Sequence, residues 1–153
     1  MNALELKVPP PVVALVVALL MWGCAQLTPP LDVPPVYRLC VALVLFAAGL
    51  VLRLAAQLSF RKAGTTVNPL DPSRSSAFVS RGVYRFSRNP MYLGRVLQLL
   101  GWAAFLANAA AVLLVPLYVL YVTRFQILPE ERMLTEQFGG DYLRYTHTVR
   151  RWL

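Results

Sequence analysis

Charge is scarce in this chain. Only 14% of its 153 residues are charged and 58% are hydrophobic, whereas a soluble domain is about a quarter charged. Acid is the scarcer sign, with 7 Asp and Glu against 15 Lys and Arg. Histidine occurs once, at His147, and cysteine twice, at Cys24 and Cys40, both inside apolar runs. With no Cys/His cluster there is no zinc-type ligand set, and cysteines in apolar runs behave as small hydrophobes, so neither a disulfide nor a metal site is expected. No Gly-rich dinucleotide fingerprint follows a strand, and no Ser or Cys nucleophile motif is present. What is abundant is apolar, basic chain: mean hydropathy is +0.55 and the formal net charge is +8. The basic residues sit between apolar runs and form no continuous stripe. That argues against nucleic acid and for loops beside anionic lipid headgroups.

The apolar runs are long enough to span a bilayer. No charge lies between Lys7 and Asp32, and Val12 to Leu27 is almost wholly apolar; about 20 helical residues cross a hydrocarbon core of about 30 Å. A cleaved signal peptide is the rival reading. The near-neutral start, the length of the run and its Pro-rich exit all weigh against it. Four prolines between Thr28 and Pro35 end this helix, and a second span is expected over Val36 to Ala56, with Arg38 and Arg53 snorkelling near its ends. Between Arg95 and Arg124 there is no charge at all. One straight helix there would be about 42 Å long and would put its Arg-rich flanks on opposite sides. A hairpin turning near Asn108 returns both flanks to one side. It also satisfies the positive-inside rule: Arg61, Lys62, Arg74, Arg81, Arg85 and Arg88 in the long loop, and Arg132, Arg144, Arg150 and Arg151 in the tail, all become cytoplasmic. The expected fold is therefore all-α: an integral membrane helical bundle of about four transmembrane helices, a cytoplasmic loop and a C-terminal helix. Both termini face the cytoplasm.

Two polar segments are candidates for chemistry. The loop from Phe60 to Pro90 has apolar and aromatic positions of its own (Val67, Leu70, Phe78, Val79, Val83, Tyr84, Phe86), so it is expected to fold against the membrane helices. Its end, Ser87-Arg88-Asn89-Pro90, opens the third span with Asn89 as N-cap and Pro90 in the first turn, and such a helix start attracts a carboxylate or phosphate. The plain alternative is a well-capped helix with basic headgroup anchors. In the tail, Ile127, Glu131, Leu134 and Phe138 share a helix face. Glu131, nearest its centre, needs a cationic partner: Arg88, Arg95, Arg124 or a ligand amine. The plain reading of Glu130 and Glu131 is an acidic first turn that complements the helix dipole. Gly139-Gly140 is expected to end this helix, and Tyr142, Tyr145 and Trp152 to lie at the membrane interface.

Three motifs in order carry a resemblance: AGTTVNP (Ala63 to Pro69), GVYRFSRNPMYLG (Gly82 to Gly94), and, after the hairpin, PEERMLTEQFGGDYLRYTHTVRRW (Pro129 to Trp152). Together they resemble the isoprenylcysteine carboxyl methyltransferase and phospholipid methyltransferase superfamily. The match runs from about Ala63 to the end, while the first two spans match in character only. The resemblance implies an all-helical methyltransferase dependent on S-adenosylmethionine, with a cytoplasm-facing cofactor pocket and a lipid or small membrane-partitioning acceptor that offers a carboxylate, amine or thiol. It implies one domain over residues 1–153, in which residues 1–59 supply two spans and residues 60–153 the cofactor loop, hairpin and tail. Carried onto this chain, the cofactor residues are Arg88, Asn89, Pro90, Met91, Tyr92, Gly94, Glu130 and Glu131. Asn89 and Arg124 are the catalytic candidates, and no metal is implied. Eukaryotic carboxyl methyltransferases typically have His where this chain has Asn89, and Asn cannot accept a proton. A carboxylate acceptor needs no base, whereas a protonated amine or thiol does. The bacterial members point to an inner-membrane location.

The residues fit that chemistry. Helix N–H groups and arginine suit the cofactor carboxylate, Glu131 its ammonium, and apolar and aromatic side chains its adenine. Methyl transfer is an in-line displacement that depends on positioning, so the missing nucleophile motif is no objection. Two alternatives remain: a membrane reductase using a nicotinamide cofactor on a related hairpin, and a non-enzymatic membrane scaffold.

Overall fold

Proline opens the first two helices. In the computed structural model, which describes residues 5–64 and 78–153, α1 (Pro10–Leu27) follows Pro9 and α2 (Pro35–Lys62) follows Pro34. A missing N–H costs nothing in a helix's first turn, where no intrahelical acceptor exists. After α2 come a 3-10 turn (Gly82–Arg85), α3 (Pro90–Leu106) and α4 (Ala109–Val122); a π turn (Thr123–Ile127) then leads directly into α5 (Leu128–Thr148). Val67, Leu70, Arg74 and all but the first two residues of the AGTTVNP segment lie outside the described residues.

Among the described residues the chain is all-helical, and three helical runs are long and apolar enough to cross a membrane: α1, α2 and the stretch from Ala109 to Thr148. The remaining helix of the hairpin, α3, has 17 residues, about 25 Å at the usual rise. Large apolar side chains point outward along α1, α2 and α4, among them Leu19, Leu43, Val44, Leu113 and Leu120. In water such surfaces would be a liability; against lipid tails they cost nothing.

The hairpin turns where expected. Ala107 takes a left-handed conformation (φ 46°) and Asn108 caps α4, its side chain accepting from the Ala111 N–H at 3.1 Å. The same amide donates to Thr28 Oγ1 at 2.8 Å, tying the turn to the end of α1. Inside the bundle, Met21, Tyr118, Val122 and Ile127 are fully buried, and the Trp102 indole N–H donates to the Ala18 carbonyl at 3.0 Å. α2 and α3 cross at glycines. A Cβ on Gly94 would stand 2.6 Å from the Gly49 carbonyl oxygen, and one on Gly49 would stand 2.3 Å from the Gly94 oxygen. Small residues let membrane helices approach this closely.

Two expectations need correction. α2 does not stop near Ala56 but runs on to Lys62, so Arg53 sits well inside the helix, away from the end. The helical run of α5 breaks at Gly139 as expected: Gly139 departs from helical geometry (φ 53°, ψ −127°), and a second helical segment then continues to Thr148. Glycine tolerates this positive φ and so makes a kink. Finally, Tyr142 is buried and Trp152 packs on the core cluster around Tyr92 and Tyr118, so neither is a free interfacial ring.

Candidate functional site

The two polar segments, about forty residues apart in sequence, meet at the start of α3. Tyr84 of the 3-10 turn is buried against Ala56 and Val79, with Phe60 edge-on to its ring at 5.3 Å. That contact seats the segment leading to Arg88 on the end of α2. Burial pushes the Tyr84 phenol well above its ordinary pKa. Its carbonyl accepts from the Tyr145 hydroxyl at 2.7 Å, which ties α5 to the same turn. Phe78 packs among Phe138, Tyr142 and Tyr145.

The paired glutamates have separate partners. Glu131 lies between two arginines: Arg88 Nη1 is 3.2 Å from Oε1, and Arg151 donates from Nε at 3.0 Å and from Nη2 at 2.7 Å. The hydrogen bonds to Glu131 hold the Arg151 guanidinium more firmly protonated. Glu130 instead accepts from the Tyr92 hydroxyl at 2.5 Å, and among the described residues no cation lies within ion-pair distance of it. Glu131 thus finds one of its expected partners, Arg88. Arg95 and Arg124 do not reach it.

The tail closes over the opening of α3. The Arg88 N–H donates to the Arg150 carbonyl at 3.0 Å, and Asn89 Nδ2 donates to the Arg151 carbonyl at 3.0 Å. Asn89 occupies the N-cap position, but its side chain makes no capping bond. The expected cap is therefore absent: the side-chain amide is drawn away by the tail carbonyl, and the Asn89 backbone N–H donates to Ser87 Oγ at 3.1 Å. Pro90 begins the helix as expected and Tyr92 is buried. Met91 packs towards Ala56, Val79 and Tyr84. Gly94 lies at the α2–α3 crossing, where the Arg53 stem and the Gly49 carbonyl occupy the space beside it.

Arg124 stands apart from this group. It pairs with Glu5 at 3.1 Å, and Arg132 reaches the other oxygen of Glu5 at 2.6 Å. Glu5 is almost fully buried and had no signal in the sequence beyond its charge. Arg151 was legible only as one basic tail residue, because its pairing depends on the tail folding back over α5. An open groove of about 590 Å³ runs along the far part of α5, with Phe78, Arg85, Arg144 and Thr148 in its walls. It holds none of the expected site residues, so the polar convergence at α3 marks the better candidate.

Two polar groups at this convergence have bonding capacity left over. Arg88 Nε is a buried donor with no acceptor, and Glu130 is a carboxylate with no cation among the described residues. A ligand end carrying both a carboxylate and an ammonium would supply what each lacks.

Comparison with known proteins places the chain beside membrane methyltransferases. The family model described as phospholipid methyltransferase matches residues 37–141. An uncharacterized protein of Haemophilus influenzae is 46% identical over 63 residues, which is 41% of this chain and 100% of that protein. Protein-S-isoprenylcysteine O-methyltransferase A of Arabidopsis thaliana is 29% identical over 110 residues, 70% of this chain and 54% of the plant protein. The chain thus spans about half the length of the plant relative.

Proposed function

The chain belongs to the phospholipid methyltransferase family, and from that membership and the geometry at the start of α3 we propose that it is an integral membrane enzyme transferring a methyl group from S-adenosylmethionine to a lipid or other membrane-partitioning acceptor. The observation that carries this reading is the meeting of the two motifs: Tyr92 bonds to Glu130 at 2.5 Å and Arg88 pairs with Glu131 at 3.2 Å. The orphaned Arg88 Nε and the uncompensated Glu130 support the fit to the cofactor's amino-acid end.

In this reading Glu130, and not the Glu131 expected from the sequence, which is taken up by Arg88 and Arg151, binds the ammonium, oriented by the Tyr92 hydroxyl, and Arg88 offers its free Nε–H to the carboxylate. Glu131 acts at one remove, holding Arg88 in place with Arg151. Pro90 sets the first turn of α3, and Met91 and Gly94 position α3 against α2 and the loop. Asn89 serves as the latch for the tail, and neither it nor Arg124 is assigned a proton-transfer role, since both are engaged elsewhere. When bound, the sulfonium supplies an electrophilic methyl carbon. The protein's part is to align an acceptor with it and exclude water. We place residues 1–153 in one domain in the bacterial inner membrane, with this site facing the cytoplasm, because the basic residues gather at the site end.

Calorimetric titration of the detergent-purified protein with S-adenosylhomocysteine, with NADPH as control, tests the proposal. Saturable binding of the former alone is expected. Binding of NADPH alone would replace the methyl-transfer reading with a reductase.

A further inference from the structure

Two half-buried arginines converge where α2 meets α3 without an acid to meet them. Arg53 lies well within α2, and Arg95 lies in the second turn of α3. Arg53 Nη1 and Arg95 Nη1 are each 3.4 Å from the same atom, Oε1 of buried Gln98. That distance is long for a hydrogen bond, and charge-assisted bonds to an anion close to about 2.7–2.9 Å. One neutral amide oxygen is a poor counterpart for two cations. Among the described residues no carboxylate lies within ion-pair distance of either arginine.

A third group faces the same region. The Tyr118 side chain on α4 is fully buried, and its hydroxyl has no hydrogen-bond partner. It lies within electrostatic reach of Arg53, Arg95 and Tyr92. Charged residues inside membrane helices are costly and usually mark a ligand or a pathway. Snorkelling alone would send the two guanidinium groups apart towards water, whereas these share one atom.

We propose that Arg53, Arg95, Gln98 and Tyr118 form an anion-binding site within the membrane part of the bundle, which takes the carboxylate or phosphate of an apolar ligand entering from the bilayer. Three helices contribute to it, and Tyr92, which bonds to Glu130, lies within electrostatic reach of its Tyr118. An acid group held there would place the rest of a lipid acceptor beside the cofactor end. That acceptor role rests on the methyl-transfer reading above; the anion site itself does not.

The test is thermal unfolding of the full chain in neutral detergent, with two pairs of probes. Oleate is set against methyl oleate, and dioleoylphosphatidate against dioleoylglycerol. At least one anionic probe should raise the Tm above its neutral partner, by about 3–6 °C with ligand about ten-fold above its Kd. The larger of the two effects identifies carboxylate or phosphate as the preferred group. The excess should vanish in Arg53→Gln and Arg95→Gln and survive in Arg81→Gln. Tyr118→Phe guards against variants that fail to fold: it removes only an unpartnered hydroxyl, so the ligand-free Tm should hold while the anionic excess shrinks. No anionic excess in the parent, or an excess lost equally in Arg81→Gln, overturns the proposal. S-adenosylhomocysteine binding to the parent is measured alongside. An anionic excess without that binding keeps the anion site and removes methyl transfer; binding without the excess does the reverse.

Discussion

Glu130→Gln and Glu131→Gln should fail in different ways, although the residues are neighbours. Glu131 is clamped by Arg88, whose side chain is 12% exposed, and by Arg151, at 36%. Removing one partner of a desolvated ion pair costs about 3–5 kcal/mol, and of an exposed pair about 0.2–1 kcal/mol. The Arg88 contact lies near the first limit and the Arg151 contact near the second. Gln keeps some hydrogen bonding, so Glu131→Gln is expected to cost about 2–4 kcal/mol, a fall in Tm of about 4–16 °C for a chain of this size. Because the three charges act as one unit, Glu131→Gln with Arg151→Gln should cost less than the sum of the single changes. Glu130→Gln still lets Tyr92 donate and leaves no cation stranded, so stability should move by less than about 1 kcal/mol. Its loss should appear in calorimetric affinity for S-adenosylhomocysteine, by about 1.5–3 kcal/mol, the scale of a hydrogen bond to a charged group. Unfolding of Glu131→Gln at the parental temperature would refute the clamp. Parental affinity in Glu130→Gln would refute the ammonium assignment.

Asn89 separates a latch from a cap. Asn89→Asp would preserve capping but cannot donate to the Arg151 carbonyl, so both Asn89→Ala and Asn89→Asp should lose about 1 kcal/mol in thermal unfolding; a harmless Asp would restore the cap reading. Gly94→Ala drives a Cβ against the Gly49 carbonyl and the Arg53 stem; about 1–3 kcal/mol of destabilisation is expected, seen as a lower Tm and less monodisperse protein on gel filtration. Replacing Asn108 with Ala removes both the α4 cap and the tie to Thr28, and should cost about 1–2 kcal/mol by the same thermal assay. Single cysteines at Arg81 and Thr146, in a background lacking Cys24 and Cys40, should label from the same side of the membrane. Opposite sides would undo the hairpin.

Much of the architecture was decided by the sequence alone, because a bilayer leaves few options. Uncharged runs bounded by arginine and proline must be helices, since no other local structure satisfies their backbone in lipid. The uncharged stretch between Arg95 and Arg124 had to turn near Asn108 for its flanks to share a side; the structure shows Asn108 capping α4 there. Arg88 and Glu131 were legible as candidates because polar groups at the ends of apolar helices are costly without a task, whereas Tyr92 and Glu130 were candidates only through the resemblance. Tertiary structure alone decided which group holds which. Helical spacing put Glu131 at the centre of an apolar face, but the tail folding back gave it Arg151 as well as Arg88 and left Glu130 to Tyr92. The same folding turned Asn89 from a cap into a latch. Gly94 sits in a motif, yet its neighbours come from α2. Arg53 and Arg95 lie on two helices whose register follows from glycine-to-glycine packing, and Tyr118 lies on a third; their meeting is a property of helices in contact that no single helix's periodicity contains.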